Sequence, residues 1–514
     1  MAVIGAGPGG LAAAMLLARA GADVTIHERL HRVGGRSASI EADTETGRFR
    51  FDMGPTFFLY PRVLQEVFSA CGMAFSHAVD LIRLDPQYRL QFQDGAHIDA
   101  TSDAARMEAQ LAQFSPRDAA ALSRYMVDNR RKLAAFRPVL ESPFDSPLGL
   151  LRPSSLRALR MLRPHRSVDH DLARYFSDER VRLAFSFQSK YLGMSPFRCP
   201  SLFTILAFME YEYGVWHPRG GCGAVMEAMG HAAERLGVEL RLGEPVQRIL
   251  FQGRRARGVE AGGVERRYDA IVLNADFAHA MRHLVPDALR RRWTDQKIER
   301  KRFSCSTFML YLGITGSLPE IAHHTVFLSG DYRRNVAEIE LAEAPPGAPS
   351  FYVQNACVTD PGLAPPGHST LYVLVPVGHN KPGGIDWAAQ ASHYRDLTLQ
   401  RLAQIGIPDL AGRVVYEKVL TPMDWQRDMA IHRGATFNLA HNIRQMLHMR
   451  PRNRFEDLAG VYLVGGGTHP GSGLPVIFES ARITSRLLAE DFGLTPTWDT
   501  ALADTPAPAM AAAE

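Results

Sequence analysis

The sequence predicts an α/β protein: a parallel-sheet nucleotide-binding unit with a second, sheet-based region interleaved through it. Three observations carry this reading. The first thirty residues run strand, glycine turn, helix, strand. A short apolar strand pattern at residues 460–464 runs into a second glycine-rich stretch, Gly465-Gly466-Gly467. Between these ends, β-type and helical patterns follow one another along a chain of 514 residues. At about 150 residues per domain, that length is a prior of about three domains.

Residues 1–5 form a short buried strand. The turn Gly5-Ala6-Gly7-Pro8-Gly9-Gly10 follows, and residues 11–20, rich in alanine and leucine, form a helix that Gly21 ends. Residues 23–28 are a second strand. The unit is Rossmann-like, and its glycine spacing has a physical reason. Gly5 permits the tight turn, Gly7 lets a pyrophosphate approach the backbone, and Gly10 lets the helix pack close to the strand. The helix N-terminus then turns free N–H groups toward phosphate. Glu28 ends the second strand, where its carboxylate can accept hydrogen bonds from a ribose diol, with Arg29 beside it. A second turn, Gly34-Gly35-Arg36, adds an arginine near the pyrophosphate and suits a large, permanently held dinucleotide. Gly54-Pro55-Thr56 offers backbone where a ring could approach.

Further along, Asp94-Gly95 between two short runs predicts a hairpin over 88–100. Residues 103–136 are helical, with Ser115-Pro116 opening the second half, and 141–153 read as loop. On a helical wheel, residues 154–163 place Arg157, Arg160 and Arg163 on one side and Ala158, Leu159, Met161 and Leu162 on the other. Such a helix either lies on a membrane surface or packs on the protein's own core. The apolar stretch 201–209 is too short to span a bilayer; it is a core helix, a channel-lining helix, or both. A helix at 224–236, strands at 238–242 and 269–274, β patterns at 303–313 and 351–377, and helices at 387–405 and 475–491 complete the chain. The tail beyond Leu494 reads as disordered.

Composition excludes several classes. A chain with 46% hydrophobic and 22% charged residues is not wholly disordered. It has no run of about 18 apolar residues and so predicts no spanning helix. The N-terminus lacks the basic segment of a secretory signal. The five cysteines are scattered and form no C-x-x-C, so neither disulfides nor zinc is expected. A net charge of +4 is too balanced to suggest nucleic acid. Only 6 of the 58 basic residues are lysine; the arginine excess reflects genomic base composition or, locally, clusters that hold anionic lipid headgroups.

Four blocks resemble one family: the FAD-dependent phytoene and diapophytoene desaturases, within the amine-oxidase-like flavoproteins. They are the fingerprint with Glu28 and Gly34-Gly35-Arg36; Phe51-Asp52-Met53-Gly54-Pro55-Thr56; Gly214-Val215-Trp216-His217-Pro218-Arg219-Gly220-Gly221 with Glu244-Pro245-Val246; and residues 462–475, including Thr468-His469-Pro470-Gly471. After Pro475 the family's small, glycine-rich ending is replaced by Val476-Ile477-Phe478-Glu479-Ser480.

The resemblance implies an FAD cofactor and a long isoprenoid hydrocarbon substrate desaturated by hydride transfer to flavin. A carotenoid isomerase, saturase or oxidase on the same fold, or a prenyl-binding escort protein, are the alternatives. It implies Val246 on the adenine side, and Gly466, Gly467, Thr468, Pro475, Val476 and Ile477 near the flavin. His217 and His469 fix backbone or make a polar contact near the flavin or substrate; Glu479 is an acid/base group or a capping or solvent-bonded one. No strong catalytic base is required, and none is named. The implied organisation is a discontinuous FAD domain (1–85, 215–285, 455–494), a sheet-based substrate domain (86–100, 286–454) and a helical, membrane-facing part (101–214). The implied setting is the cytoplasm, peripherally on the inner face of the cell membrane.

Overall fold

The computed structural model describes residues 1–496; the expected disordered tail lies outside them from residue 497 on. The nucleotide-binding unit is a five-stranded sheet in the order Glu239–Leu242, Thr25–Glu28, Ala2–Ile4, Ile271–Leu273, Val461–Leu463, every pair parallel. Its three middle strands are buried along their whole length. They carry apolar residues on both faces because both are covered. One face packs on helices; the other packs on the antiparallel strands Val246–Gln252 and Arg255–Ala261 and on the helix Phe277–Leu284. Pro8–Arg19, Cys222–Arg235 and Leu474–Phe492 share one core with the sheet, which holds Leu11, Met15, Met226, Met229, Phe478 and Leu488. The sheet thus draws its strands from both ends and the middle of the chain.

The second sheet has seven strands, in the order Val414–Leu420, Ser306–Thr315, His368–Val377, Phe351–Gln354, His324–Leu328, Tyr88–Phe92, His97–Ala100. Ser306–Thr315 pairs with His368–Val377 over its full ten residues. The Asp94-Gly95 hairpin forms as expected, and Asp94 Oδ1 accepts from Ala96 N–H at 3.0 Å. The β pattern at 351–377 is interrupted. Residues 355–367 fold into turns, because Pro361, Pro365 and Pro366 have no N–H to give a ladder.

The helical reading of 103–136 resolves into Ala104–Ala112 and Pro116–Leu140. Ser115 caps the second through the Asp118 N–H. The expected loop 141–153 contains a 3-10 turn, Pro147–Leu151. The amphipathic helix runs Pro153–Leu162. Its Ala158 and Leu162 are buried against Phe136, Val139, Leu202 and Ile205, so the core-packing reading holds for that face. On the other side Leu148, Leu151 and Leu156 are 70%, 66% and 51% exposed, beside exposed Arg152, Arg157 and Arg160. Among the described residues no helix is long and apolar enough to cross a membrane.

Candidate functional site

One cavity of about 600 Å³ reaches from the first glycine turn into the space above the seven-stranded sheet. At its nucleotide end, Gly5 turns with φ +99°, a conformation that favours glycine. A Cβ on Gly10 would lie 2.1 Å from the Gly5 carbonyl oxygen, and one on Gly9 would lie 2.7 Å from Asn274 Oδ1. The helix therefore starts as close to the strand as backbone allows. Gly5, Gly7 and Pro8 line the cavity, whereas Ala6, Gly9 and Gly10 sit behind it and hold the turn. Glu28 also faces the cavity. Its Oε2 accepts from Ala6 N–H and its Oε1 from Leu30 N–H, both at 2.8 Å. Each oxygen keeps a lone pair for a further donor.

The second turn completes this end. Gly34 donates its N–H to the Ala6 carbonyl at 2.8 Å and lies behind the wall; Gly35 and Arg36 line it. Arg36 donates to the Thr436 carbonyl. Burial lowers its pKa, and Asp276 partly opposes the shift. Arg29 lines the cavity too and donates to the Asp428 carbonyl. Val246 lines the cavity beside Pro245.

Gly54, Pro55 and Thr56 also line it, and three tyrosines of the large sheet tie their segment down. Tyr311 donates to the Met53 carbonyl at 2.5 Å and Tyr372 to the Gly54 carbonyl at 2.6 Å. Tyr352 and Thr56 share a hydrogen bond of 2.8 Å. A Cβ on Gly54 would lie 2.6 Å from the Arg36 carbonyl oxygen.

From the last block, Gly466, Pro475, Val476 and Ile477 line the cavity. They stand at the N-terminus of Leu474–Phe492, whose cap residue Gly473 offers no side chain. Gly467 and Thr468 do not line it. Gly467 packs on Phe277, and the Thr468 hydroxyl donates to the Pro451 carbonyl at 2.6 Å. His469 Nε2 donates to the Ser142 carbonyl at 3.0 Å and stands 3.2 Å from that of Val139, so it fixes backbone while the residue also lines the cavity. His217 Nε2 meets Asp360 Oδ2 at 3.2 Å, and the same oxygen accepts from Gly220 N–H at 2.7 Å. Glu479 pairs with Arg482 at 2.8 Å, and Arg482 also holds Glu66; burial raises the Glu479 pKa.

Two residues escape sequence reasoning. Asn274 donates to the Gly5 carbonyl at 3.0 Å and fills the space under the glycine turn. Arg450 is fully buried and meets four carbonyls, of Thr468, Gly466, Leu439 and Gln445. Burial pulls its pKa down to about 9. No local pattern marks either, since their partners lie far away in sequence or in irregular loops; the only signal is that Asn274 ends a predicted strand.

These residues fit FAD. The glycine cradle and helix N-terminus suit a pyrophosphate, the Glu28 carboxylate suits a ribose, and the Gly54–Thr56 backbone with the Leu474–Phe492 N-terminus suits a flavin ring. Beyond that end the wall turns to hydrocarbon: Leu133 and Phe136 of one helix, Phe203, Leu206 and Met209 of another segment, and Met309 of the sheet. The 201–209 stretch does both things expected of it. Leu202, Ala207 and Phe208 are buried in the core, while Phe203, Ile205, Leu206 and Met209 face the cavity.

Comparison with known proteins agrees with this geometry. Residues 8–489 match the family "Flavin containing amine oxidoreductase". The chain is 41% identical over 490 residues to a 4,4'-diapophytoene desaturase (4,4'-diapolycopene-forming) of a Methylomonas species, covering 95% of this chain and 94% of the relative. It is 39% identical over 499 residues to an all-trans-zeta-carotene desaturase of Myxococcus xanthus, covering 96% and 94%. Among solved structures, an oxidoreductase from Methanosarcina mazei superposes with a TM-score of 0.61 at 18% identity, over 95% of this chain and 99% of that one, a likeness of fold. With a glycine cradle, a buried acid and a helix N-terminus converging on one cavity, and a match spanning nearly its whole length, the chain belongs to the flavin containing amine oxidoreductase family.

Proposed function

We propose that the protein is an FAD-dependent desaturase that introduces C=C bonds into a long isoprenoid hydrocarbon of the phytoene or diapophytoene type. The observation that carries this reading is the continuity of the cavity. The space that fits FAD opens into a chamber walled mainly by leucine, phenylalanine and methionine. A polyene chain can lie against those side chains beside the ring. The relatives are themselves desaturases of diapophytoene and zeta-carotene.

FAD, when bound, supplies the hydride acceptor. The chain's own residues do the rest. Gly5, Gly7 and the helix Pro8–Arg19 would hold the pyrophosphate, and Glu28 the ribose. The N-terminus of Leu474–Phe492 would stabilise negative charge near the ring. The tyrosines that grip Met53, Gly54 and Thr56 fix the ring-facing segment to the sheet on which the substrate lies. The apolar wall excludes water, so that a cationic centre next to a polyene is not quenched by hydroxide.

The same reading includes a membrane-surface encounter, since such hydrocarbons dissolve in bilayers. Its support is the segment 147–162. Leu148, Leu151 and Leu156 are exposed among arginines, and the helix packs through Ala158 and Leu162 on a cluster whose Phe136 and Ile205 also line the cavity. The test is incubation of the FAD-loaded protein with phytoene and with diapophytoene in liposomes. Products that lose two hydrogens per step are expected. Products of unchanged mass would reassign the protein to isomerisation.

A further inference from the structure

One ionisable group just behind the cavity wall is explained by neither cofactor binding nor packing. Glu210 lies on Ile205–Tyr213, the helix whose Leu206 and Met209 face the cavity, and is fully buried. Its Oε2 accepts from Gln188 Nε2 at 2.9 Å and from the Tyr88 hydroxyl at 3.1 Å. The titratable groups around it are all phenols: Tyr88 from the sheet, Tyr191 from the turn Phe187–Leu192, Tyr211 from its own helix and Tyr125 from Pro116–Leu140. No cation is among the groups that act on it. A carboxylate withdrawn from water without a cation is destabilised, and glutamine would make the same packing contacts.

Four buried oxygens here lack a hydrogen-bond partner: Glu210 Oε1 and Tyr191 Oη, with Gln87 Oε1 and Gln188 Oε1 beside them. The first two bear on the chamber. Glu210 and Tyr191 act on each other, the phenol favouring the ionised carboxylate. Tyr191 itself lines the cavity, with its ring 5.5 Å from that of Phe57, the residue after Thr56. One hydroxyl therefore separates a buried carboxylate from the chamber. Burial first, opposed by the three hydrogen-bonding side chains, pushes the Glu210 pKa up to about 7, where a proton acceptor is most useful at neutral pH.

We propose that Tyr191 and Glu210 carry away the proton released by desaturation, Tyr191 meeting the substrate and Glu210 accepting behind it. The inference rests on the desaturase reading. In the step, one substrate C–H bond breaks with its electron pair leaving as hydride to the oxidised flavin. The neighbouring C–H bond then breaks, and its pair becomes the new π bond. That proton joins Tyr191 Oη as the phenol's own proton passes to Glu210, which changes from carboxylate to acid. Two hydrogens leave the substrate and two electrons go to the flavin. Tyr191 is the catalytic residue of the pair and Glu210 its positioning partner and proton store.

The test uses FAD-loaded wild type, Glu210→Gln, Glu210→Asp, Tyr191→Phe and Lys190→Met, with flavin content and melting checked for each. Lys190 is the rival arm, since it also faces the cavity and burial lowers its pKa. In wild type, kcat rises as pH climbs through about 7. Glu210→Gln and Tyr191→Phe lower kcat by roughly tenfold or more at constant KM, and Glu210→Gln loses the acid limb. Glu210→Asp and Lys190→Met keep that limb.

A second readout needs no turnover. The infrared band of buried protonated carboxyl fades as pH rises through the same range, and Glu210→Gln lacks the Glu210 part of it. An acid limb that survives in Glu210→Gln but vanishes in Lys190→Met overturns the proposal, as does a titrating band no smaller in Glu210→Gln than in wild type. If wild type makes no polyene, the desaturase reading falls and the step with it, while the infrared titration still reports whether Glu210 exchanges a proton.

Discussion

The two ends of the cavity are built on opposite principles. At the nucleotide end the wall is backbone, and even one carbon added at Gly9 or Gly10 would meet an atom within 2.7 Å or 2.1 Å. At the hydrocarbon end the wall is side chain, with Leu133, Phe136, Phe203, Leu206 and Met209 offering the same chemistry in different shapes. The first end selects its ligand by hydrogen-bond geometry and tolerates no change. The second selects by length and contour, and adapts by substitution.

The sharpest way to break this contrast is Gly10→Ala. Overpacking against the Gly5 carbonyl should lower FAD affinity by roughly 100-fold or more, read as flavin absorbance retained after gel filtration. Arg450→Met comes next. It frees four carbonyls that one buried guanidinium satisfies, and should cost about 3 kcal/mol in unfolding free energy, with flavin released alongside.

Glu210→Gln tests whether the hydrocarbon end hides a group bought at the expense of stability. Its folded pKa, about 7, lies above the unfolded value. Wild type is therefore penalised as pH rises through that range, and the penalty is absent below the unfolded pKa. Glu210→Gln should be more stable than wild type at pH 8 by up to about 3 kcal/mol, with the gap closing toward pH 4, by denaturant titration. On the outer wall, Leu148→Glu with Leu151→Glu should weaken binding to anionic liposomes by about tenfold and leave flavin content intact. The smallest effect belongs to Met209→Ala. It should raise KM for the isoprenoid a few-fold, in line with about 1 kcal/mol per lost methylene contact, without touching FAD retention.

The same contrast explains what could be read from the sequence. The nucleotide end was legible because its ligand contacts come from local spacing: Gly5, Gly7, Glu28, Arg36 and Gly54 each sit at a turn or strand end that neighbouring residues define. Even there, Gly467 and Thr468 belong to the same motif yet turn away from the cavity, because burial and the Pro451 carbonyl claim them. Asn274 and Arg450 were invisible because their partners are remote or lie in loops without a pattern. The hydrocarbon end showed only as composition. Leu206 and Phe208 look alike in sequence, and only the packing of their helix sends one to the cavity and the other to the core. Glu210 shows no motif at all; its meaning comes from phenols on three other elements.

The parallel sheet closes only when Val461–Leu463 pairs with Ile271–Leu273, long after Ala2–Ile4 has been synthesised. Domains of a growing chain tend to fold from the N-terminus, yet this one must keep its first strand and glycine turn waiting for its last. Cofactor capture is thus a whole-chain event. A yellow colour in a preparation certifies that translation ran past residue 477 and that the last sheet strand found its place, which makes bound flavin a direct gauge of a correctly threaded sheet.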